Sequence, residues 1–548
     1  MVTLARYAGT MHRLTPSPRT LAALATALLA GGCLLQILAG YSDASLSGHA
    51  WGADDAYISY RYAENLAAGR GLVFNPGERV EGFSNLLYLL MLVPAAALVA
   101  RDSLYAVAAG LNLVCAVAAA SLLQRFARPR LGDAGSATLV LLFALSPSVW
   151  VAVASGLETP LVLLLQIATW TLVEQALDRQ GSRGTAGLLG LVAALSVLAR
   201  ADGFITPVVA AAYLTLRARW RPALTVGAAT LGTAAALVAF RLAYYGWPLP
   251  NTYYSKVVGG PLGLRLASGS QRLLAIALAT GLLFHLVMIG VAAARGVRGA
   301  SSRPGDPFAW LPFPLVFAAA WMTAFVYVGG DVFYDRFLIC FFPMGGYLLL
   351  RLLRQSAPPP LAAALVVALV LAQQLVPLGT DPRFTYRRAK YDSLILLGRA
   401  LGRQHPGALL ATDAAGKIPY FSGLRTIDML GLTDLHIGHA SMDDRGYFRP
   451  GHGKSDLRYV LSRHPDLIAK WLTDDFSLRS GPVVEPEPLA AAGYRIAYLL
   501  NTDSRSNGRD LLDVRKANAD EIRALAGAGY KYGVFAPRTA SGEPRAPN

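Results

Sequence analysis

The stretch LAALATALLAGGCLLQILAG (21–40) contains no charged side chain and is long enough to cross a bilayer as a helix, which takes about 20 apolar residues. Apolar runs recur from there as far as Leu378. Across the 548 residues only 15% are charged, where a soluble domain carries about 25%, and the mean hydropathy is +0.41. This composition excludes a disordered chain and predicts a membrane protein with many spans.

The distribution of charge changes after residue 379. Residues 380–548 hold 24 Lys+Arg and 19 Asp+Glu, which is 43 of the chain's 84 charges, and contain no run long enough to span a bilayer. We therefore predict a polytopic α-helical membrane domain over 1–379 and a soluble domain of α/β or α+β type over 380–548. Patterning in the soluble part predicts four strands and two helices. The strands are Ala408–Thr412, Ile418–Phe421, Ile496–Leu500 and Tyr532–Ala536, and the helices are Leu394–Arg403 and Ala519–Ala528.

Arginine clusters between the apolar runs predict the orientation, because basic residues concentrate on the cytoplasmic side. Placing the clusters and the N-terminus inside gives about eleven spans, with 380–548 outside. These spans are 21–40, 104–124, 136–154, 160–177, 185–199, 204–216, 222–243, 271–294, 311–328, 335–350 and 360–378. The net charge of +16 is thereby assigned to orientation and not to nucleic-acid binding.

Two apolar features do not follow the simple pattern. Counting Ser84–Ala100 as a span would move the cluster Arg125–Arg130 outside, so we interpret this segment as an interfacial or re-entrant helix on the outer face. Arg241, near the end of its span, is expected to extend its charged group outward to water. The three cysteines lie in apolar runs and indicate neither a disulfide framework nor a metal cluster.

The proposed orientation gathers the polar motifs on the outer side, above all in the first outer loop, 41–103. This loop contains WGADDAYISYRYAENLAAGRGLVFNPGERVEGFSN (51–85). Asp54 and Asp55 are adjacent, so their charges repel and one of them can act as a general base with a raised pKa. The alternative is that they cap the following helix. Tyr57 and Arg61 are spaced to share one face of that helix.

Other outer loops contribute further candidates, each with a simpler structural alternative. Glu158 in SGLETP can act on substrate or stabilise a helix start. Asp202 can act on substrate or form a local salt bridge with Arg200. Lys256 can bind a lipid phosphate or serve with its neighbouring tyrosines as an interfacial anchor. The loop GGDVFYDR contributes two acids and an arginine, namely Asp331, Asp335 and Arg336. These three can bind a phosphate, hold a metal or pair with one another.

No sequence motif for nucleotide use is present. The chain lacks GxxxxGK[ST] and HExxH, and contains no convincing dinucleotide fingerprint. An enzyme on the outer face without nucleotides requires a pre-activated donor held in the membrane, and a polyprenyl-phosphate-linked sugar meets that requirement.

These motifs resemble the GT-C superfamily of integral-membrane glycosyltransferases. Within it the chain is most similar to the terminal arabinofuranosyltransferases of mycobacterial cell-wall synthesis and their uncharacterised relatives. The resemblance rests on DDAYISYRYAENLAAGRGLVFNPGERVEGFSN, SGLETP, RADGF, PNTYYSK and GGDVFYDRFL, and in the soluble part on DAAGKIPYFSGLRTIDMLGLTD and HGKSDLRYVLSRHPDLI.

The resemblance implies a GT-C-like fold in a bacterial plasma membrane and an inverting transfer of a sugar, such as a pentofuranose. The donor would be a polyprenyl-phosphate sugar, and the acceptor a cell-envelope glycan or lipid. It assigns the paired acids of the family to Asp54 and Asp55 and the donor phosphate to Lys256 and Arg336. No cofactor is implied with certainty, and a divalent metal stays open. Two other functions are compatible with the residues, a transporter or flippase of lipid-linked saccharide and a non-catalytic glycan-binding membrane scaffold.

Overall fold

The structure is a computed structural model. It describes residues 17–40, 52–178, 182–295, 312–331, 335–356, parts of 361–377, 393–442, 448–472, 486–501, 511–517, 521, 522, 525 and 530–537. The predicted domain boundary at 379–380 lies outside these residues.

The first part of the chain is helical, as the apolar runs predict. Its helices begin and end as follows: α1 Pro18–Gly40, α2 Asp54–Ala67, α3 Leu86–Leu98, α4 Leu104–Ala144, α5 Pro147–Ala154, α6 Thr159–Asp178, α7 Arg183–Ala199, α8 Ile205–Leu216, α9 Trp220–Tyr245, α10 Asn251–Lys256, α11 Leu262–Thr280, α12 Leu282–Ala294, α13 Phe313–Tyr327 and α14 Phe341–Ser356. Within the described residues, α4, α6 and α9 are long and apolar enough to cross a membrane, and shorter apolar helices pack beside them.

The helices follow the predicted spans closely at some positions and differ from them at others. The span predicted for 136–154 is not one continuous helix. Non-helical backbone at Gly132 kinks α4, which ends at Ala144, and a separate helix, α5, begins at Pro147. The span predicted for 271–294 is also broken, since α11 and α12 meet at Gly281 with a bend of 109°. Gly281 adopts a left-handed conformation that glycine tolerates without steric cost. The count of eleven spans therefore stays a prediction.

The helix α3 has the length expected of a segment that does not span the bilayer. Its 13 residues, at about 1.5 Å per residue, reach only about 20 Å, whereas the hydrocarbon core is about 30 Å thick. It packs against α2, α4 and α7. This length fits the interfacial or re-entrant interpretation of Ser84–Ala100.

Arg241 does not extend to water, so that prediction is wrong. Its Nε and Nη2 donate to the two carboxylate oxygens of Glu81 at 2.8 and 3.0 Å, and both side chains are buried. Burial raises the pKa of the Glu81 carboxyl, and the hydrogen bond and charge of Arg241 lower it by a smaller amount. The pair ties the first outer loop to helix α9.

The C-terminal part is built on one mixed sheet of six strands. The strands are β1 Leu409–Thr412, β2 Arg425–Asp428, β3 Leu467–Trp471, β4 Tyr494–Asn501, β5 Leu511–Asp513 and β6 Tyr530–Pro537, in the order β2-β1-β3-β6-β4-β5. The pairs β1–β2 and β1–β3 are parallel, and the remaining pairs are antiparallel. Helices α15 Ser393–Gln404, α16 Lys417–Ser422, α17 Leu435–His439, α18 Leu457–Ser462 and α19 Pro486–Ala491 complete the described part.

The predicted α/β or α+β character of this part is confirmed, with one element wrong. Residues 418–421 were predicted as a strand but lie in helix α16, which ends at Gly423 in a left-handed conformation. The run KIPYFS is too short for hydrophobic periodicity to separate a strand from a helix turn. Most of the helix predicted for Ala519–Ala528 lies outside the described residues.

Candidate functional site

The outer-loop residues predicted to act on substrate converge on one cavity of about 490 Å³. Its walls come from the first turn of α2, the start of α6, the α7–α8 connection, the end of α10 and the α13–α14 connection, with Leu432 and Pro450 added by the sheet domain. Six of the ten predicted site residues line it: Asp55, Glu158, Asp202, Lys256, Asp331 and Arg336. Loops far apart in sequence therefore meet at the end of the helices that carries the sheet domain.

Two arginine–carboxylate pairs form part of the wall. Arg200 donates through Nε and Nη2 to the two oxygens of Asp202, at 2.6 and 2.8 Å. Arg336 binds Asp331 in the same two-pronged manner, with Nη2 3.0 Å from Oδ1. The local pairing considered for Asp202 is thus present, and each pair contributes no net formal charge to the cavity.

Asp55 and Lys256 differ from the paired residues. Among the residues that the structure describes, neither side chain has a hydrogen-bond or ion-pair partner, although both line the cavity. Glu158 is held as a hydrogen-bond acceptor by the amide of Asn85 at 2.9 Å, and the Asn85 carbonyl oxygen accepts from Ser59 at 3.0 Å. The cavity therefore offers one carboxylate and one ammonium that are not already committed to a described side chain.

Asp54, although adjacent to Asp55, points to a different place. Its two carboxylate oxygens accept the backbone N–H groups of Gly416 and Lys417, at 3.0 and 2.7 Å, at the start of helix α16. Burial raises the pKa of Asp54 to about 6, against the lowering effect of those N–H groups and of the Lys417 charge. Asp54 does not line the cavity and acts as a contact between the two parts of the chain.

Tyr57 and Arg61, on the same helix as Asp54, also contact the sheet domain and do not line the cavity. The Tyr57 ring lies 5.3 Å from that of Tyr420, centroid to centroid, and meets it edge to face. The Arg61 guanidinium is buried and donates to the carbonyl oxygens of Pro419 and Leu424 at 2.6 and 2.7 Å. The two residues share one face of the helix, as their spacing predicts, but this face packs against residues 419–424 of the sheet domain.

Asp335 is buried and does not line the cavity either, although it lies next to Arg336, which does. The GGDVFYDR loop thus sends Asp331 and Arg336 into the cavity and keeps Asp335 within the protein. Residues 332–334 of this loop lie outside the described residues.

Arg200 is a cavity residue that the sequence analysis treated only as a partner of Asp202. Its side chain is buried, its guanidinium carbon lies 4.0 Å from the centroid of the Phe337 ring, and its Nη1 has no hydrogen-bond partner among the described residues. A buried donor without a partner is costly unless a ligand satisfies it. The only sequence signal is an arginine directly after the apolar run of α7.

The sheet domain places Pro450 in the cavity lining and Gly451 against Lys256. A Cβ placed on Gly451 would lie 3.4 Å from Cε of Lys256, so this glycine packs closely on the lysine side chain. The next residue, His452, donates from Nδ1 to the carbonyl oxygen of Pro450 at 3.0 Å. Burial lowers the pKa of His452 to about 4, with the Arg449 charge acting in the same direction, and the charge of Asp55 opposes the shift. A neutral imidazole is therefore expected beside this site at pH 7.

The remaining lining of the cavity is largely apolar. Phe204, directly before α8, and Tyr327, at the end of α13, line it and are 49% and 48% exposed, so apolar side chains flank the cavity at the protein surface. As to metals, the described residues contain no group of three or more His, Cys, Asp or Glu that could hold an ion.

Comparison with solved structures gives the fold class. ArnT from Cupriavidus metallidurans, solved bound to undecaprenyl phosphate, superposes with a TM-score of 0.51 at 11% identity, over 94% of this chain and 98% of that one. The apo oligosaccharyltransferase of Archaeoglobus fulgidus gives 0.51 at 12% identity, over 75% of this chain and 64% of that one. The protein thus shares the fold of ArnT and of this oligosaccharyltransferase, which agrees with the GT-C-like fold that the resemblance predicted.

Sequence comparison adds more particular relatives. The chain is 31% identical over 222 residues to the terminal β-(1→2)-arabinofuranosyltransferase of Mycobacterium tuberculosis, covering 38% of this chain and 35% of that protein. It is 31% identical over 230 residues to the Corynebacterium glutamicum protein of the same name, covering 38% and 33%. The matched region thus spans about a third of each relative. Residues 384–522 match a family model described as a domain of unknown function (DUF8728).

Proposed function

We propose that the protein is a membrane glycosyltransferase that moves a sugar from a polyprenyl-phosphate donor to a hydroxyl of a cell-envelope glycan or lipid. The observation that carries this proposal is the cavity itself, in which the uncommitted carboxylate of Asp55 and the uncommitted ammonium of Lys256 share one space with two paired arginines. The GT-C fold and the arabinofuranosyltransferase relatives support the same reaction class. A pentofuranose is the corresponding donor sugar.

The donor would lie with its phosphate among the cations and its chain along the apolar flank. Lys256 supplies a point charge, and the Arg336 and Arg200 guanidinium groups supply oriented donors. The apolar side chains of Phe204 and Tyr327 suit a polyprenyl chain that enters from the membrane. ArnT, of the same fold, was solved with undecaprenyl phosphate bound, which supports this class of lipid.

Asp55 is the general base in this proposal. It accepts the proton of the acceptor hydroxyl while that oxygen forms a bond to the anomeric carbon. The bond from this carbon to the phosphate oxygen breaks, and polyprenyl phosphate leaves with the electron pair, its charge stabilised by the cations. Displacement in one step inverts the anomeric centre. Asp54, the other candidate base, accepts hydrogen bonds from the backbone of the sheet domain and holds that domain against helix α2.

The proposal places the N-terminus in the cytoplasm, the sheet domain outside, and the protein in a bacterial plasma membrane. The principal alternative is a transporter of lipid-linked saccharide, for which broken helices near the midplane are typical. The bent pair α11–α12 is such a feature, but no residue of either helix lines the cavity. The geometry therefore favours the transferase.

The test is transfer by the purified full chain in nanodiscs. It would be incubated with a panel of polyprenyl-phosphate sugars, including a phosphoarabinofuranose, and with oligosaccharide acceptors, and the products read by mass spectrometry. General-base catalysis contributes about 10²–10⁴-fold, so Asp55→Asn should lose about that much in kcat. Asp102→Asn is a matched control, since this carboxylate of the same loop pairs with Arg399 and does not line the cavity. A wild-type rate in Asp55→Asn, or no product with any donor, would overturn the proposal.

A further inference from the structure

A second cavity, of about 960 Å³, opens between the first outer loop, the segment after helix α9 and the sheet domain. It shares no lining residue with the first cavity. Neighbouring residues nevertheless face opposite ways, since Leu432 lines the first cavity and Thr433 the second. A Cβ on Gly82 would lie 2.4 Å from Cγ2 of Thr433, so the loop and the sheet domain meet there in close contact. This contact therefore lies between the two cavities, with Gly82 in the lining of the first and Thr433 in that of the second.

Aromatic side chains mark the second cavity as a site for flat, partly apolar ligands. Trp247 is 40% exposed and its ring centroid lies 4.2 Å from that of His439. In the sheet domain, His436 stacks on Tyr459 with centroids 4.1 Å apart and planes 18° from parallel. The face of an aromatic ring is negative, so it attracts the positively polarised C–H hydrogens on one side of a sugar ring.

The charged side chains of the second cavity balance. Three are acidic and three are basic, namely Glu78, Asp434, Asp456, Arg79, Arg425 and Arg463. Several are already paired with one another or with neighbouring polar groups. Nε of Arg425 lies 3.1 Å from Glu78, His436 lies 2.9 Å from Asp456, and the hydroxyl of Tyr459 donates to Asp434 at 3.1 Å. A lining with no net formal charge does not favour a phosphate or a polyanion. It suits hydroxyl groups, which donate to carboxylates and accept from guanidinium groups.

His439 supplies one specific acceptor. Its Nδ1 lies 3.0 Å from the carbonyl oxygen of Leu435, which can only accept, so Nδ1 donates this hydrogen bond and the neutral tautomer that it selects has its lone pair on Nε2. Nε2 is shielded from solvent and has no hydrogen-bond partner among the described residues. A buried nitrogen lone pair in a cavity wall fits a ligand hydroxyl.

We propose that the second cavity binds a neutral oligosaccharide, namely the part of the acceptor glycan that lies several sugar units from the reacting end. The identity of this glycan as the acceptor rests on the proposed function, whereas the site itself does not. Pockets for drug-sized ligands have volumes of about 300–1,000 Å³, so this cavity accommodates more than one sugar ring. Binding at a distance from the reaction would let the enzyme select polymeric acceptors over short ones.

The direct test is binding to the full chain in nanodiscs, with hexasaccharides of arabinofuranose and of glucose as neutral probes and a hexameric polyuronate as the charged comparison. Trp247→Ala should weaken binding of a neutral hexasaccharide at least tenfold. Trp220→Ala is the matched control, since this tryptophan begins helix α9, which Trp247 follows, is 59% exposed and lies outside the cavity. A general loss of membrane anchoring would affect both variants. Equal binding by wild type and Trp247→Ala, no binding of either neutral probe, or preference for the polyuronate would overturn the inference.

A second measurement separates this inference from the proposed reaction. In transfer assays Trp247→Ala should reduce the ratio of kcat/KM for a hexasaccharide to that for a disaccharide about tenfold. Asp55→Asn should lose transfer and keep hexasaccharide binding. If Asp55→Asn transfers normally while Trp247→Ala loses binding, the assigned base is wrong and the glycan site stands. If Asp55→Asn loses transfer and the length ratio of Trp247→Ala is unchanged, the glycan site is wrong and the reaction stands.

Discussion

Replacing Arg61 by methionine should weaken the attachment of the sheet domain to helix α2. The buried guanidinium donates to four oxygens: Nε to Phe74 at 2.8 Å, Nη1 to Pro419 at 2.6 Å, and Nη2 to Leu424 at 2.7 Å and to Asn75 at 3.1 Å. Methionine fills much of the same volume but donates nothing. Each of the four acceptors keeps a second donor, so the loss is that of the hydrogen bonds themselves. A hydrogen bond from a charged donor contributes about 1.5–3 kcal/mol, and the removed desolvation cost of the buried charge offsets part of the sum, so we expect a net loss of about 5 kcal/mol.

Two measurements on the full chain in nanodiscs would detect this loss. Thermal unfolding of the sheet domain should shift to lower temperature. Hydrogen–deuterium exchange should accelerate in peptides covering 417–428, whereas peptides from the membrane helices α6 and α9 should keep their protection. Exchange reports where the structure opens, so it separates loss of attachment from global unfolding.

The matched control is Arg425→Met, which also removes an arginine contact between the first outer loop and the sheet domain. Arg425 pairs with Glu78 at the surface, and its side chain is 56% exposed. Exposed pairs contribute only about 0–1 kcal/mol. If Arg61→Met loses no more stability than Arg425→Met, or if exchange in 417–428 is unchanged, the reasoning from buried hydrogen bonds is refuted.

Three further predictions concern the same contacts. Gly416→Ala should separate the two parts of the chain, since its Cβ would lie 1.8 Å from the Asp54 carbonyl oxygen; Gly263→Ala, which meets nothing within 4 Å, should leave thermal stability and exchange unchanged. The pKa of Asp54 is raised to about 6 in the folded protein, so protonated Asp54 stabilises the fold by about 3 kcal/mol below about pH 3.9. This stabilisation is lost as the pH rises through 6. The melting temperature should therefore fall between pH 4 and 8, and Asp54→Asn should reduce that fall. Arg241→Leu should cost about 3–5 kcal/mol by leaving Glu81 buried without its partner, and adding Glu81→Leu should recover most of the loss in a double-mutant cycle, whereas additive losses would contradict a coupled pair.

The sequence by itself determined the class of the molecule and the residues that gather at one end of it. Apolar length and arginine placement are local properties, because a helix in lipid satisfies its own backbone hydrogen bonds. They were therefore sufficient to predict the helical part and to gather Asp55, Glu158, Lys256 and Asp331 on one side of it. That these four residues line one cavity is a finding of the structure. A short apolar run likewise located strand β1 in the sheet domain.

Only the tertiary structure decided what each of these residues contacts. Asp54 and Asp55 are indistinguishable in sequence, yet one binds the N–H groups of a helix about 360 positions away and the other lines the cavity. Arg241 had the pattern of a side chain extending to water until the fold placed Glu81 beside it. The partner of a charged side chain depends on which distant segments pack together, and periodicity along the chain carries no information about that packing.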